Sequence, residues 1–444
     1  AAGAREVLGA RMGPLEIVAC GTMLLPVLAV VGAGVGVVAG LMVGLTLGVA
    51  AAPLTLGFSM VLSPMSWIWL GAALGAFGAC TCGARLCVLW VENALLYHPR
   101  PYYDGDPEEG VLYLGGEPYE LEWVCCPLPV PRGPGGQPGG ASPAPELHRS
   151  LLLRPQKWGA SVMWVVFGGN AMLASDWYPF CNQLCRLQGR RGGASAAFLL
   201  FDFPGYGGNP GRTSPAATLT ASLCSLRAAL ARFDAGPPEV NLLGHSLGAA
   251  AAAQLAAHLA ITGAPAGRLV LSAPFTSIPH VAVHLLQRAA GFVWQRAAPP
   301  RLQEALLGDR PHGPLQAAGA AARGLLVAGL AAVTPHRWGN VAPVRAAARA
   351  GWQVGIIHGE KDLLVPAGMG RELHDAASAA ALDAAPRGRL GGPARLVLLN
   401  GRSPAAAEAS AASPLCGFVE VPGAHHGNSL LLGAASCAEL MGLV

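Results

Sequence analysis

The chain has 444 residues, and with 29 Lys+Arg and 25 Asp+Glu only 12% of them are charged, against about 25% in an ordinary soluble domain. That deficit excludes a disordered polar chain, and a net charge of +4 spread along the sequence excludes a nucleic-acid partner, which demands clustered Lys and Arg. The deficit is also uneven: from Ile17 to Ala84, 68 residues contain no Asp, Glu, Lys, Arg, His, Asn or Gln. A wholly soluble protein is thereby excluded, while the globular character of everything after the block argues against a multi-span channel or transporter.

After a tail of residues 1–16, the block 17–84 allows two membrane helices comfortably and three tightly, at about 20 apolar residues per span. Glycine spacing selects two. Gly32, Gly36, Gly40, Gly44 and Gly48 recur at every fourth residue and so form one ridge of one helix. In water such a run would cost a helix about 1 kcal/mol per glycine; in lipid it lets two helix backbones approach closely. Gly71, Gly75, Ala79 and Gly83 repeat the spacing. The pattern predicts helices over about 24–50 and 65–84, packed ridge to ridge within one chain or by self-association between copies. Pro53 and Pro64 bracket the connector, and Trp67 and Trp69 suit an interfacial belt. Gly34-Val35-Gly36-Val37-Val38-Ala39 loosely fits a dinucleotide fingerprint, but it follows no half-buried strand and precedes no acidic residue. The block is also much too long for a cleaved signal peptide. Arg5 and Arg11 precede it, and Arg85 and Arg100 follow it. By the positive-inside tendency both flanks are cytosolic, so the expectation is a multi-pass, two-span anchor carrying a cytosolic domain.

Eleven cysteines without a CxxC pair, and no Asn-x-Ser/Thr acceptor, read as free thiols. Cys80, Cys82 and Cys87 fall where the second helix would meet the headgroups, as buried thiols or S-acylation sites. Beyond the block, residues 95–444 read as one domain. A strand-rich stretch, about 111–167, is interrupted by the Pro/Gly-rich insertion 127–145. From 162 onward the apolar β runs Val162–Phe167, Ala197–Phe203, Val240–Leu243, Arg268–Ser272, Trp352–His358 and Cys416–Val421 alternate with Ala-rich helical segments. This alternation predicts an α/β fold with a mostly parallel sheet and helices on both faces. The helical segment 281–333, a candidate lid, and the Ala-rich insertion 376–414 depart from it.

Gly244-His245-Ser246-Leu247-Gly248 fits G-x-S-x-G, a weak match in a chain with 60 glycines. Its setting strengthens it. The motif follows the β run 240–243 and precedes an Ala-rich helix over about 247–260, the strand–turn–helix context of a nucleophile elbow. The tight turn needs small residues two before and two after the Ser, and the helix N-terminus behind it favours a developing oxyanion. Gly205-Tyr206-Gly207-Gly208 is no phosphate loop, because no Gly-Lys-Ser/Thr follows. His98, His258 and His312 are scattered, and no zinc or calcium spacing occurs, so neither a metal nor another cofactor is predicted.

Several motifs in order resemble the alpha/beta-hydrolase superfamily, over about residues 95–444. Phe167-Gly168-Gly169-Asn170-Ala171 is similar to the family's His-Gly-Asn-Ala oxyanion loop, with Gly168 in the place of His. Asp202-Phe203-Pro204-Gly205-Tyr206-Gly207-Gly208-Asn209-Pro210-Gly211 is similar to its Asp-x-x-Gly-Tyr-Gly segment, and Ala273-Pro274-Phe275-Thr276-Ser277 to the segment after the next strand. His358-Gly359-Glu360-Lys361-Asp362-Leu363-Leu364-Val365-Pro366 matches the loop that carries the acid, and Val421-Pro422-Gly423-Ala424-His425-His426 the family's final His motif. The nearest branch in this resemblance is that of membrane-anchored, serine aminopeptidase-like lipases and thioesterases. It implies an alpha/beta-hydrolase fold with Ser246 as nucleophile, Asp362 as orienting acid and His426 as general base, in the chain order this fold uses. His425 is the rival of His426; Glu360 and Asp375 are rivals of Asp362. The implied oxyanion donors are the backbone N–H groups of Asn170 and Leu247.

The segment 281–333 holds Arg288, Arg296, Arg301, Arg310 and Arg323 against Glu304 and Asp309, with Phe292 and Trp294 in its apolar remainder. A peptidase capturing a free α-amine would want acids there. A basic, apolar lid beside a membrane suits acyl chains near anionic headgroups. The expected substrate is therefore an acyl ester or thioester of a membrane lipid or S-acylated protein. A serine peptidase, and a non-catalytic membrane scaffold of the same fold, are the alternatives.

Overall fold

The structure, a computed structural model, describes residues 97–128 and 146–297 apart from 104, 157–159, 190–195, 235 and 237. It also describes residues 336–384 and 416–443, with isolated stretches within 37–79, 324–334 and 398–400. The chain divides into two units, 1–98 with 324–335, and 99–323 with 336–444. In the first, the residues described before 97 are 37, 39, 41–43, 66–75, 78 and 79, and these are all helical. Among the described residues no helix is long and apolar enough to cross a membrane. Most of the expected spans 24–50 and 65–84, together with Cys80, Cys82 and Cys87, lies outside the described residues.

The second unit is built on a sheet of ten strands among the described residues: β1 (Gly110–Leu114), β2 (Glu117–Pro127), β3 (Leu147–Pro155), β4 (Val162–Phe167), β5 (Ala197–Phe201), β6 (Glu239–His245), β7 (Arg268–Ser272), β8 (Gln353–Gly359), β9 (Leu398–Asn400) and β10 (Cys416–Val421). Their order is β1-β2-β3-β5-β4-β6-β7-β8-β10-β9. β1, β2 and β3 pair antiparallel, β3 joins β5 antiparallel, and every pair from β5 to β9 is parallel. β4 and β5 are apolar throughout because they are covered on both sides: all five residues of β5 are buried.

Helices α1 (Tyr178–Gly189), α2 (Pro215–Leu230), α3 (Leu247–Ile261), α4 (Ile278–Ala297), α5 (Val341–Arg349), α6 (Ala367–Ala384), α7 (Ser429–Leu432) and α8 (Ala434–Leu440) complete the unit. α3 packs on β6 and touches α2 and α5, which in turn meets α6. α1 and α8 pack together, over a core holding Trp164, Trp177, Phe180, Leu200, Val270, Ile357, Val419 and Cys437. In α3 the residues Ala249–Ala253 are all buried; side chains this small bring the helix axis close to the sheet. α6 runs to Ala384 with Ala377, Ala380 and Ala381 buried, so the expected insertion 376–414 begins as a regular helix. Its parts 385–397 and 401–415, most of the insertion 127–145, and residues 298–323 of the candidate lid lie outside the described residues.

One core residue makes the fold acid-sensitive. His148 on β3 is fully buried against Phe201, with ring centroids 5.0 Å apart, and neither ring nitrogen has a hydrogen-bond partner. Burial pulls its pKa from 6.5 down to about 4. The unfolded chain takes up this proton near pH 6.5, but the folded one only near 4. Stability is therefore complete above 6.5 and declines as the pH falls through that window, by roughly 3 kcal/mol in all. His148→Phe should remove this decline. Urea midpoints compared at pH 7 and pH 5 should show the variant gaining on the parent chain as the pH falls; an equal gap at both pH values would refute the assignment.

Candidate active site

Parallel pairing brings the chemistry together. Phe167 at the end of β4 is in register with Gly244 of β6, His245 with Ser272 of β7, Ser272 with Ile357 of β8, and Gly359 with Val421 of β10. The four loops carrying Asn170, Ser246, Asp362 and His426 thus leave the same carboxyl edge of the sheet, where open α/β sheets bind ligands.

Ser246 sits between β6 and α3 with φ 54° and ψ −114°, a conformation that costs a non-glycine residue about 1–3 kcal/mol. The neighbours enforce it. Ser246 N–H donates to the Ser272 carbonyl at 2.8 Å, and the Ser246 carbonyl accepts from Ala249 N–H at 3.0 Å. A Cβ at Gly244 would lie 2.1 Å from the Gly248 carbonyl oxygen, and one at Gly248 would lie 2.2 Å from the Phe167 oxygen. Both glycines are required by backbone contact.

His426 joins the other two groups. Its Nε2 is 2.8 Å from Ser246 Oγ and its Nδ1 is 2.7 Å from Asp362 Oδ2. With Nδ1 protonated toward the carboxylate, Nε2 is left to accept the Ser246 proton. Asp362 Oδ1 accepts from the N–H groups of Leu364 and Val365 at 3.0 and 2.9 Å. Burial alone pushes the Asp362 carboxyl up, but the hydrogen bonds from His358, His426 and Val365 outweigh it and hold the group well below the usual carboxylate range. It stays ionised, as a partner for imidazolium must.

The rivals are engaged elsewhere. His425 is directed to the Lys361 carbonyl at 3.1 Å. The Glu360 carboxylate accepts from Gly423 N–H at 2.8 Å, and Asp375 lies 3.3 Å from His374. His245, the second residue of the pentapeptide, is buried with its Nδ1 3.1 Å from Ser272 Oγ. Burial, helped by nearby His426, lowers its pKa to about 3, so a neutral ring lies 5.2 Å from His426.

The loop after β4 lies against the Ser: a Cβ at Gly169 would be 3.6 Å from Ser246 Cβ. Asn170 therefore follows a residue in contact with the elbow, and Leu247 is the first residue of α3. The N-terminus of a helix, where Leu247 lies, favours developing negative charge.

The sequence profile of the Alpha/beta hydrolase family matches residues 159–440. The chain belongs to the alpha/beta hydrolase family. Two curated relatives of this alpha/beta hydrolase, both uncharacterized proteins of Mycobacterium tuberculosis, are 40% identical to it over 93 residues, 21% of this chain. The chain spans 31% of the length of these relatives. An esterase of Pyrococcus furiosus is similar at 11% identity and TM-score 0.42, over 78% of this chain and 97% of that one. Carboxyl esterase 2 of the fungus Tuber melanosporum is similar at 13% and 0.41, over 79% and 92%. A hyperthermophilic esterase of the archaeon Pyrobaculum calidifontis is similar at 14% and 0.39, over 74% and 86%.

Sequence reasoning passed over several supports of this hydrolase's candidate site. His358 is fully buried, with Nε2 2.8 Å from the Val365 carbonyl and 3.5 Å from Asp362 Oδ2; its place at the head of the acid loop does not by itself mark this contact. Ser272 Oγ links His245 to Ser429 Oγ at 3.2 Å, and no sequence pattern marks Ser429. Tyr206 O–H donates to Asn170 Oδ1 at 2.9 Å. Among the described residues no group of three or more His, Cys, Asp or Glu side chains is placed to hold a metal ion.

Proposed function

We propose that this alpha/beta hydrolase is a membrane-anchored serine hydrolase cleaving acyl esters or thioesters through Ser246, His426 and Asp362. The observation that carries the reading is the pair of hydrogen bonds at His426, 2.8 Å to Ser246 Oγ and 2.7 Å to Asp362 Oδ2, on a strained elbow. Ser246 Oγ attacks the acyl carbon as its proton passes to His426 Nε2, and Asp362 stabilises the imidazolium. The N–H groups of Asn170 and Leu247 receive the oxyanion. Collapse of the tetrahedral intermediate expels the alcohol or thiol, which takes the proton from His426 and leaves an acyl-Ser246. Water, deprotonated by His426, then releases the fatty acid and restores Ser246.

For anchoring, the support is the 68-residue apolar block with its glycine ridges, in which Met42, Trp69 and Leu74 are 66%, 73% and 62% exposed. For an acyl substrate it is the basic, apolar segment 281–333 and the exposed Leu363 and Leu364 immediately after Asp362. The favoured substrate is a lipid ester, with an S-acylated protein second. Labelling of the full chain by a fluorophosphonate probe should be complete in the parent and absent in Ser246→Ala. Persistent labelling of that variant, or turnover of aminoacyl amides but not long-chain acyl esters, would overturn the reading.

A further inference from the structure

Resting on that reading of the site, we propose that Arg100 and Tyr102 are positioning residues for the oxyanion loop, acting through the carboxylates of Asp176 and Asp202. The loop 168–174 needs holding: Ala171 has φ 61°, in the left-handed region that a residue with a Cβ disfavours. Two successive amides at its far end are each held by a carboxylate. Leu173 N–H donates to Asp176 Oδ2 at 2.8 Å, and Ala174 N–H donates to Asp202 Oδ1 at 2.7 Å. Each carboxylate is in turn held from the short segment 99–103. The Arg100 guanidinium pairs with Asp176, and Tyr102 O–H donates to Asp202 Oδ2 at 2.6 Å.

The same segment reaches the loop by a second route. The Arg100 carbonyl accepts from Gly207 N–H at 3.0 Å, beside Tyr206, whose hydroxyl holds Asn170. Asp202 is 1% exposed, and a buried carboxylate requires its donors. Without the Tyr102 hydroxyl, Oδ2 loses a close one; burial, which already pushes the Asp202 carboxyl up to about 6 against that hydrogen bond, then favours the neutral acid, a weaker acceptor for Ala174 N–H. The consequence falls on catalysis rather than binding, because the loop's N–H group acts on charge that develops only in the transition state.

The test uses the full chain in detergent, with Arg100→Ala, Arg100→Lys and Tyr102→Phe. Arg100 is about one-third exposed, so its replacement leaves the core intact, and Phe retains the edge-on packing of Tyr102 against Trp123. Two readouts are taken: hydrogen exchange of the Leu173 and Ala174 amides, and kcat and KM for a short-chain nitrophenyl ester. Arg100→Ala and Tyr102→Phe are expected to exchange these amides about ten-fold faster. They should also lower kcat about ten-fold at nearly unchanged KM, a fraction of the 10²–10³ lost with a whole donor; Arg100→Lys should recover most of both. Unchanged exchange in both variants overturns the proposal, as does faster exchange with unchanged kcat. If the parent chain shows no Ser246-dependent turnover, it is the hydrolase reading that fails, and the exchange result still decides whether the segment holds the loop.

Discussion

His426→Ala is expected to lower kcat for an acyl ester by about 10⁴–10⁶-fold, the range seen when one member of a Ser–His–Asp set is removed. His425→Ala should remain within about two-fold of the parent, as surface substitutions do. The two histidines are adjacent, yet their surroundings differ completely. The ring of His426 is in hydrogen-bond reach of both Ser246 and Asp362. His425 is exposed, its ring is directed to the Lys361 carbonyl, and its backbone N–H is held by Asn428 Oδ1 at 2.7 Å. Steady-state rates for both purified variants check the pair, and full activity in His426→Ala would defeat the assignment. Equal and large losses in both would mean that the whole 421–428 turn had moved.

Gly244→Ala is expected to damage the site without touching a reacting group. The new Cβ would lie 2.1 Å from the Gly248 oxygen, 2.5 Å from its carbonyl carbon and 2.6 Å from Ala249 N. All three atoms are backbone at the start of α3, and Ala249–Ala253 bury that helix against the sheet, so the contact cannot relax by a rotamer change. Overpacking typically costs about 1–3 kcal/mol, and contact with backbone puts this case near the upper end; displacing Ser246 by about 1 Å costs about 10² in rate. The variant should therefore melt at least about 5 °C lower and react with fluorophosphonate at least about 10²-fold more slowly. Gly189→Ala, where a Cβ meets nothing within 4 Å, is the control. A Gly244→Ala chain with parental melting and labelling would show that the elbow tolerates a side chain.

The strands β4, β7 and β10 coincide with the apolar runs 162–167, 268–272 and 416–421. A central strand covered on both faces is apolar at most of its positions, and that leaves a mark in one dimension. The order β5-β4-β6-β7-β8-β10 leaves no such mark, because it depends on which strands pair across the crossover helices. Within the candidate site, Ser246, Asp362 and His426 were legible because each lies in a short motif tied to a turn. His358, Ser272 and Ser429 were not, since a buried His or Ser acquires a role only from what lies beside it.

The charge deficit and its concentration in residues 17–84 are properties of the sequence alone, because hydropathy is a sum over residues and needs no contacts. So is the requirement for glycine at 244 and 248, once the turn is recognised. Only the tertiary structure could bring His426 rather than His425 within hydrogen-bond reach of Ser246 and Asp362, turn Glu360 to Gly423 and Asp375 to His374, and connect Arg100 and Tyr102 to a loop more than 65 residues away. Each of those decisions turns on distances of a few ångströms between segments far apart in the chain, and such distances exist only after the sheet has brought its carboxyl edge together.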